Sequence, residues 1–155
     1  MSASEIKLRL RHQGGYRFEV GFDEPKIPVV VTDQSPPLGT GLGPNPEHLI
    51  GAAVGNCLSG SLLFALKKFG NDPKLDADIT VTLGRNDRGR LRVARIDADL
   101  RLDTPVAALK HAERVIASYE DFCVVTQSVR AGIEVVVRVF DGEGVELRAE
   151  PAPTP

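Results

Sequence analysis

Hydrophobic and polar positions alternate over several stretches of this chain, and one stretch breaks the rule by having no charge at all from Leu49 to Leu66. From Glu5 to His12 the apolar residues Ile6, Leu8 and Leu10 fall on one face and Lys7, Arg9 and Arg11 on the other. That period of two predicts a half-buried strand. Gln13, Gly14 and Gly15 turn the chain, and Tyr16 to Phe22 alternates again, which completes a hairpin. Ile27 to Val31 predicts a third strand after the turn at Asp23 to Pro25.

The uncharged stretch lies inside a predicted helix from Asn45 to Gly70. Asn45 is the cap, Pro46 takes the first helical position, where a missing N–H costs nothing, and Glu47 favours the positive end of the helix dipole. Lys67 and Lys68 in the last turn, with Gly70 beyond, are the chemistry of a C-terminus. Leu49, Ile50, Ala53, Val54, Leu58, Leu62, Leu63 and Leu66 cover most of the circumference, so the expectation is a helix buried on all sides. Gly51, Gly55 and Gly60 would let another element approach its backbone closely. Eighteen uncharged residues also reach the lower limit for a membrane span. The polar Asn56, Ser59 and Ser61, and the lack of a second apolar segment, favour a core helix instead.

Between the third strand and this helix, Thr32 to Pro46 reads TDQSPPLGTGLGPNP. Its length and its delivery into the helix mark it as a functional segment or a covering loop. No GK[ST] follows its glycines, so it is not a phosphate-binding loop. Beyond the helix, Leu75 to Leu83 and Arg90 to Leu102 alternate around a turn at Asn86 to Gly89, a second hairpin. Thr104 and Pro105 open an amphipathic helix through Glu120. Helical turns from Thr126 to Ala131 follow, with Cys123 near their start. Glu134 to Phe140 is a strand and Val145 to Arg148 a short last one. The order of elements gives an α+β fold with antiparallel hairpins, one domain over residues 1–148 and a disordered tail over 149–155.

Composition narrows the partners. The 155 residues are enough for one core without staples. With 19 basic against 21 acidic residues and no Trp, nothing marks a nucleic-acid surface. The N-terminus has no apolar run of the kind a signal peptide needs, and the expectation is a cytoplasmic protein. In a reducing compartment, two cysteines 66 positions apart are either packed thiols or reactive ones. His12, His48 and His111 have no zinc-like spacing to Cys57 or Cys123, so no metal site and no cofactor is expected. Ser59 and Ser61 lack the G-x-S-x-G elbow of a hydrolase.

The loop TDQSPPLGTGLGPNPEHL running into a helix with GNCLSG, and a second cysteine in CVVTQSV, resemble the OsmC/Ohr proteins, named for osmotically inducible protein C and organic hydroperoxide resistance. The resemblance runs from about Arg11 to Phe140, and the PLG, GPNPE and two cysteine contexts are specific in combination. It implies an OsmC-like fold, an intertwined homodimer with antiparallel sheets wrapped around long buried central helices. It also implies a thiol peroxidase in which Cys57 attacks an organic hydroperoxide and Cys123 resolves the sulfenic acid as a disulfide. An external dithiol returns the electrons. Glu47 takes the position of the carboxylate that orients an arginine over the thiol, and Arg17 matches the early-hairpin arginine, with Arg11 as runner-up.

Elementary chemistry asks for the same cation. A free thiol is mostly protonated at neutral pH, and Cys57 lies mid-helix, where the dipole gives little help. An arginine stays charged and holds a carboxylate and an oxygen together. Between Phe18 and Gly84 there is none, so Arg17 stands either as that group or as a solvated strand residue. Ten helical residues separate Glu47 from Cys57, about 15 Å of rise, which points to a site shared across a two-fold axis. The competing reading is a non-catalytic binding or structural dimer with two buried cysteines.

Overall fold

The alternating segments pair in the registers that bring their apolar faces together. The computed structural model describes residues 4–148, and the chain divides into two compact units, Met1–Leu49 and Ile50–Pro155. The expected disordered tail, 149–155, lies outside the described residues.

In the N-terminal unit β1 (Leu8–His12), β2 (Phe18–Phe22) and β3 (Val30–Thr32) form an antiparallel sheet in that order. Leu8 faces Phe22, Leu10 faces Val20 and His12 faces Phe18, one apolar surface across two strands. Val20 is buried, yet Leu8 and Leu10 stay more than half exposed, at 55% and 53%. The third strand begins later than the expected Ile27. The Ile27 N–H is spent on a turn to the Glu24 carbonyl, and Pro28 has no N–H to give a ladder.

The helix α1 spans Pro46–Lys67. Its start is a reciprocal cap: Asn45 Oδ1 accepts the His48 N–H at 2.9 Å, and His48 Nδ1 accepts the Asn45 N–H at 3.2 Å. Histidine here takes the place usually held by Glu or Gln. At the other end Gly70 adopts a φ of 77°, and the Asn71 N–H closes on the Leu66 carbonyl. By length and composition α1 could cross a membrane, with a mean hydropathy of 1.8 and a third of that window buried.

The second unit is a four-stranded sheet in the order β4 (Leu75–Arg85), β5 (Leu91–Leu102), β6 (Glu134–Phe140) and β7 (Glu146–Leu147). The hairpin β4–β5 is the expected one, with a bulge at Thr82/Leu83. β6, however, lies parallel to β5, so the sheet is mixed. A parallel neighbour needs a crossover, and residues 103–133 supply it. The long amphipathic helix expected there is broken into a 3₁₀ turn at Val106–Ala108, a short helix α2 (Ala112–Ser118), a second 3₁₀ turn at Tyr119–Phe122 and α3 (Val124–Val129). Asn71 holds the Lys110 N–H and carbonyl at once, and His111 takes a left-handed φ of 56°, so regular helix starts only at Ala112.

Within one chain, the sheet covers one face of α1. Gly51, Val54, Gly55, Leu58, Leu62 and Leu66 are buried. Leu49, Ala52, Ala53, Asn56, Gly60 and Phe64 line the other face, exposed. The glycines divide accordingly. A Cβ on Gly51 or Gly55 would meet Val81 or Ile79 of β4, whereas Gly60 has nothing within 4 Å.

Candidate active site

Cys57 sits half-buried on the middle of α1, packed against the core cluster of which Cys123 is a fully buried member. The rest of that cluster is Val54, Leu58, Leu62 and Leu66 with inward residues of β5 and β6 and with Val115 and Tyr119 from the crossover. Cys123 stands at the N-cap position of α3, inside the cluster against which Cys57 packs. Two residues far apart in sequence thereby meet at one cluster, both as free thiols.

Their environments differ. Cys57 is the more accessible thiol and Cys123 the buried one. Burial pushes the Cys123 thiol above the ordinary range, the neighbouring Cys57 adds to the push, and the Thr126 hydroxyl and N–H pull against both. The Tyr119 hydroxyl is buried without a hydrogen-bond partner among the described residues, and desolvation holds it protonated.

Arg17 and Glu47 belong to the N-terminal unit. The turn that carries Arg17 is closed by the Arg17 N–H on the Gly14 carbonyl and the Gln13 N–H on the Arg17 carbonyl. Arg17 is half-buried, with Nε enclosed and lacking a partner among the described residues. Glu47 Oε2, in the first turn of α1, is in the same condition. An enclosed guanidinium nitrogen and carboxylate oxygen without partners carry a desolvation cost that a further ligand or chain would relieve. Arg11, the runner-up, is exposed on β1.

The loop between β3 and α1 has an organising residue that its sequence did not single out. Asp33 is buried, and its carboxylate accepts the N–H groups of Gln34 and Thr40 and the Thr40 hydroxyl. The Thr40 hydroxyl above all, then those backbone donors with that of Leu42, hold Asp33 down to about 2 against the opposing effect of burial. Gly39 packs so close that a Cβ would overlap the Gln34 carbonyl oxygen and the Asp33 carboxylate. Leu38 and Leu42 are left exposed at the surface of the loop, at 62% and 72%. The signal in the sequence was an Asp followed by Gly-Thr-Gly, small residues that leave room around a carboxylate.

Residues 39–138 match the family described as OsmC-like protein. The chain belongs to that family. Its fold matches an OsmC-like protein of unknown function from Vibrio cholerae with a TM-score of 0.75 at 18% identity, covering 89% of this chain and 100% of that one. The organic hydroperoxide resistance protein OhrB of Bacillus subtilis matches with a TM-score of 0.64 at 18% identity, over 88% of this chain and 98% of that one. An organic hydroperoxide resistance protein OsmC from Legionella pneumophila matches with a TM-score of 0.69 at 15% identity, over 90% and 98%. At those identities the likeness is one of fold. No curated protein matches the sequence. Membership of the OsmC-like family and the α+β fold therefore stand.

Proposed function

We propose that this OsmC-like protein is a cysteine-based peroxidase for organic hydroperoxides, and the observation that carries the reading is the packing of half-buried Cys57 against the core cluster that holds buried Cys123. In the first step the Cys57 thiolate attacks the outer peroxide oxygen. The O–O bond breaks, the alcohol leaves with a proton, and Cys57 becomes a sulfenic acid. Cys123 then displaces water from that sulfur to form the disulfide, and an external dithiol reduces it by exchange.

Arg17 is assigned to stabilise the Cys57 thiolate and the departing alkoxide, and Glu47 to orient it, because a bidentate guanidinium serves both partners. Their enclosed, unpartnered atoms support this reading. A homodimer completes the site. The exposed stripe Leu49, Ala52, Ala53, Asn56, Gly60 and Phe64 on α1 and the uncovered Leu8 and Leu10 are surfaces a second copy would bury. Gly60, rather than Gly51 or Gly55, is then the glycine at the helix–helix approach. We place the protein in the cytoplasm, where thiols are kept reduced.

A second reading is a binding or structural dimer without turnover, and it is favoured by the loop of 33–45, which has no Arg or Lys and is closed on Asp33 instead. Titrating the protein with a small excess of cumene hydroperoxide separates the two. Loss of both thiols with one disulfide per chain is expected of the peroxidase, and retention of both thiols overturns it.

A further inference from the structure

The end of the β4–β5 hairpin concentrates positive charge in a chain whose net charge is -2. Between Leu83 and Val93 stand Arg85, Arg88, Arg90 and Arg92 against a single acid, Asp87, whereas the whole chain holds 19 basic and 21 acidic residues. All four arginines are exposed, and none has an ion-pair partner among the described residues. Arg95, Arg101 and Arg138, further along the same sheet, are each paired with a carboxylate. The turn that presents the four is fixed. Asn86 Oδ1 accepts the Arg88 and Arg90 N–H groups, each at 3.0 Å, the Asn86 N–H donates to the Arg90 carbonyl at 2.9 Å, and Gly89 takes a φ of 71°. The Arg85 guanidinium closes the same turn on the Gly89 carbonyl. Arg88 and Arg90 enter these bonds through their backbone alone, which leaves both guanidinium groups to solvent.

Two leucines interrupt the charge. Leu83 and Leu91 are 48% and 65% exposed. Leu91 is paired with Arg85 across the hairpin, and Leu83 lies two residues along the strand from Arg85, so the three project from one face. An arginine cluster alone suits any polyanion. Interleaved with exposed leucines it suits an anionic lipid bilayer, where guanidinium groups meet headgroup phosphates and the leucines enter the acyl boundary. Single-stranded nucleic acid asks instead for aromatic rings on which bases stack, and the stretch from Leu83 to Val93 has none. We propose that the tip of the β4–β5 hairpin, residues 83–93, docks this protein on anionic lipid surfaces, with Arg85, Arg88, Arg90 and Arg92 on the headgroups and Leu83 and Leu91 at the interface. The docking is peripheral, through a hairpin whose strands stay in their sheet, and it is separate from the thiol chemistry of Cys57. Its electrostatic part reaches no further than the screening length, about 10 Å at about 0.1 M salt.

The test is co-sedimentation of the purified protein with vesicles of phosphatidylglycerol and phosphatidylcholine at about 0.1 M salt, beside vesicles of phosphatidylcholine alone. Pelleting is expected with the first and not with the second, and it should be lost as salt is raised. Arg88→Gln combined with Arg90→Gln should weaken partition roughly thirty-fold, the effect of two basic residues at such a surface. Arg88→Lys with Arg90→Lys keeps the charge and should keep the binding. Leu91→Ser should weaken partition about ten-fold, the loss of one inserted leucine. Arg9→Gln with Arg11→Gln removes the same charge from exposed positions of β1 and should leave partition near the parent value. No pelleting with the anionic vesicles overturns the proposal. So does a loss in the Arg9/Arg11 variant equal to that of the hairpin variant, which would reduce the effect to net charge. A single-stranded oligonucleotide bound more tightly than the vesicles at the same salt, with no loss on Leu91→Ser, would assign the hairpin to nucleic acid and overturn lipid docking. Should Leu91→Ser fail to fold by circular dichroism, Leu83→Ser is measured in its place with the same two outcomes.

Discussion

Ile79 of β4 lies directly over Gly55 of α1, so that a Cβ at position 55 would come within 2.7 Å of two of its side-chain carbons. The helix and the sheet meet as closely there as a backbone without a side chain permits. Gly60, one and a half turns further on, faces open space.

Gly55→Ala should therefore destabilise the protein by about 1–3 kcal/mol, the cost of overpacking a filled core. Gly60→Ala, in a chain that remains monomeric, should instead stabilise α1 by roughly 0.5–1 kcal/mol through helix propensity. Denaturant unfolding of both variants checks the pair. An Ile79→Val change combined with Gly55→Ala should recover part of the loss, and no recovery would locate the strain elsewhere.

Cys57→Ser should abolish consumption of cumene hydroperoxide. Cys123→Ser should allow one turnover and leave a sulfenic acid on Cys57, trapped by dimedone and located by mass spectrometry. The reverse outcome, with Cys57→Ser retaining the first turnover, would exchange the two roles.

The Asp33 carboxylate is held at about 2, below its unfolded value, so its contribution to the loop is complete above the ordinary carboxylate pKa near 4. It is lost as pH falls from that value through about 2. Protection of the Thr40 amide against hydrogen exchange, measured in steps across that window, should fall together with cleavage resistance of the loop by an acid protease. Asp33→Asn should show weakened protection already at neutral pH, because an amide lacks the charge and offers one acceptor oxygen for several donors. Unchanged protection in Asp33→Asn would mean that the loop is held by other contacts.

A site shared between subunits predicts complementation. Co-refolding Glu47→Ala chains with Cys57→Ser chains should regenerate activity, because some heterodimers carry one site with both residues intact and one with neither. Heterodimers verified by mass spectrometry that remain inactive, or a stable active monomer, would exclude sharing.

The long helix and the outer strands were legible because their signals are local. Asn45, Pro46 and Gly70 punctuate α1, and the alternation of β4 and β5 needs no knowledge of partners. The parallel pairing of β6 was not legible, since EVVVRVF alternates the same way beside either neighbour. Nor was the break before α2: the apolar period continues through Ala112 and Val115, and the residue that interrupts it, Asn71, comes from a different part of the chain. The two cysteines announced themselves by rarity, and the fold places both at one core cluster. Asp33 did not, because an Asp in a polar loop acquires its meaning only from what the fold places against it.

The parallel register of β6 on β5 also sets an order of events. Cys123 is carried by the crossover, and that segment has no fixed place until Glu134–Phe140 has crossed to lie beside Arg95–Arg101. Of all strand pairings in the second unit this one must close the longest loop, and loop closure is where the entropic cost of a non-local contact is met. The hairpin β4–β5 can form early; the thiols become neighbours only when the sheet is nearly finished. A chain caught by an oxidant before that point would have Cys57 without its partner, open to over-oxidation rather than to a reversible bond. The topology thus makes the juxtaposition of the two sulfurs a mark of a completed chain.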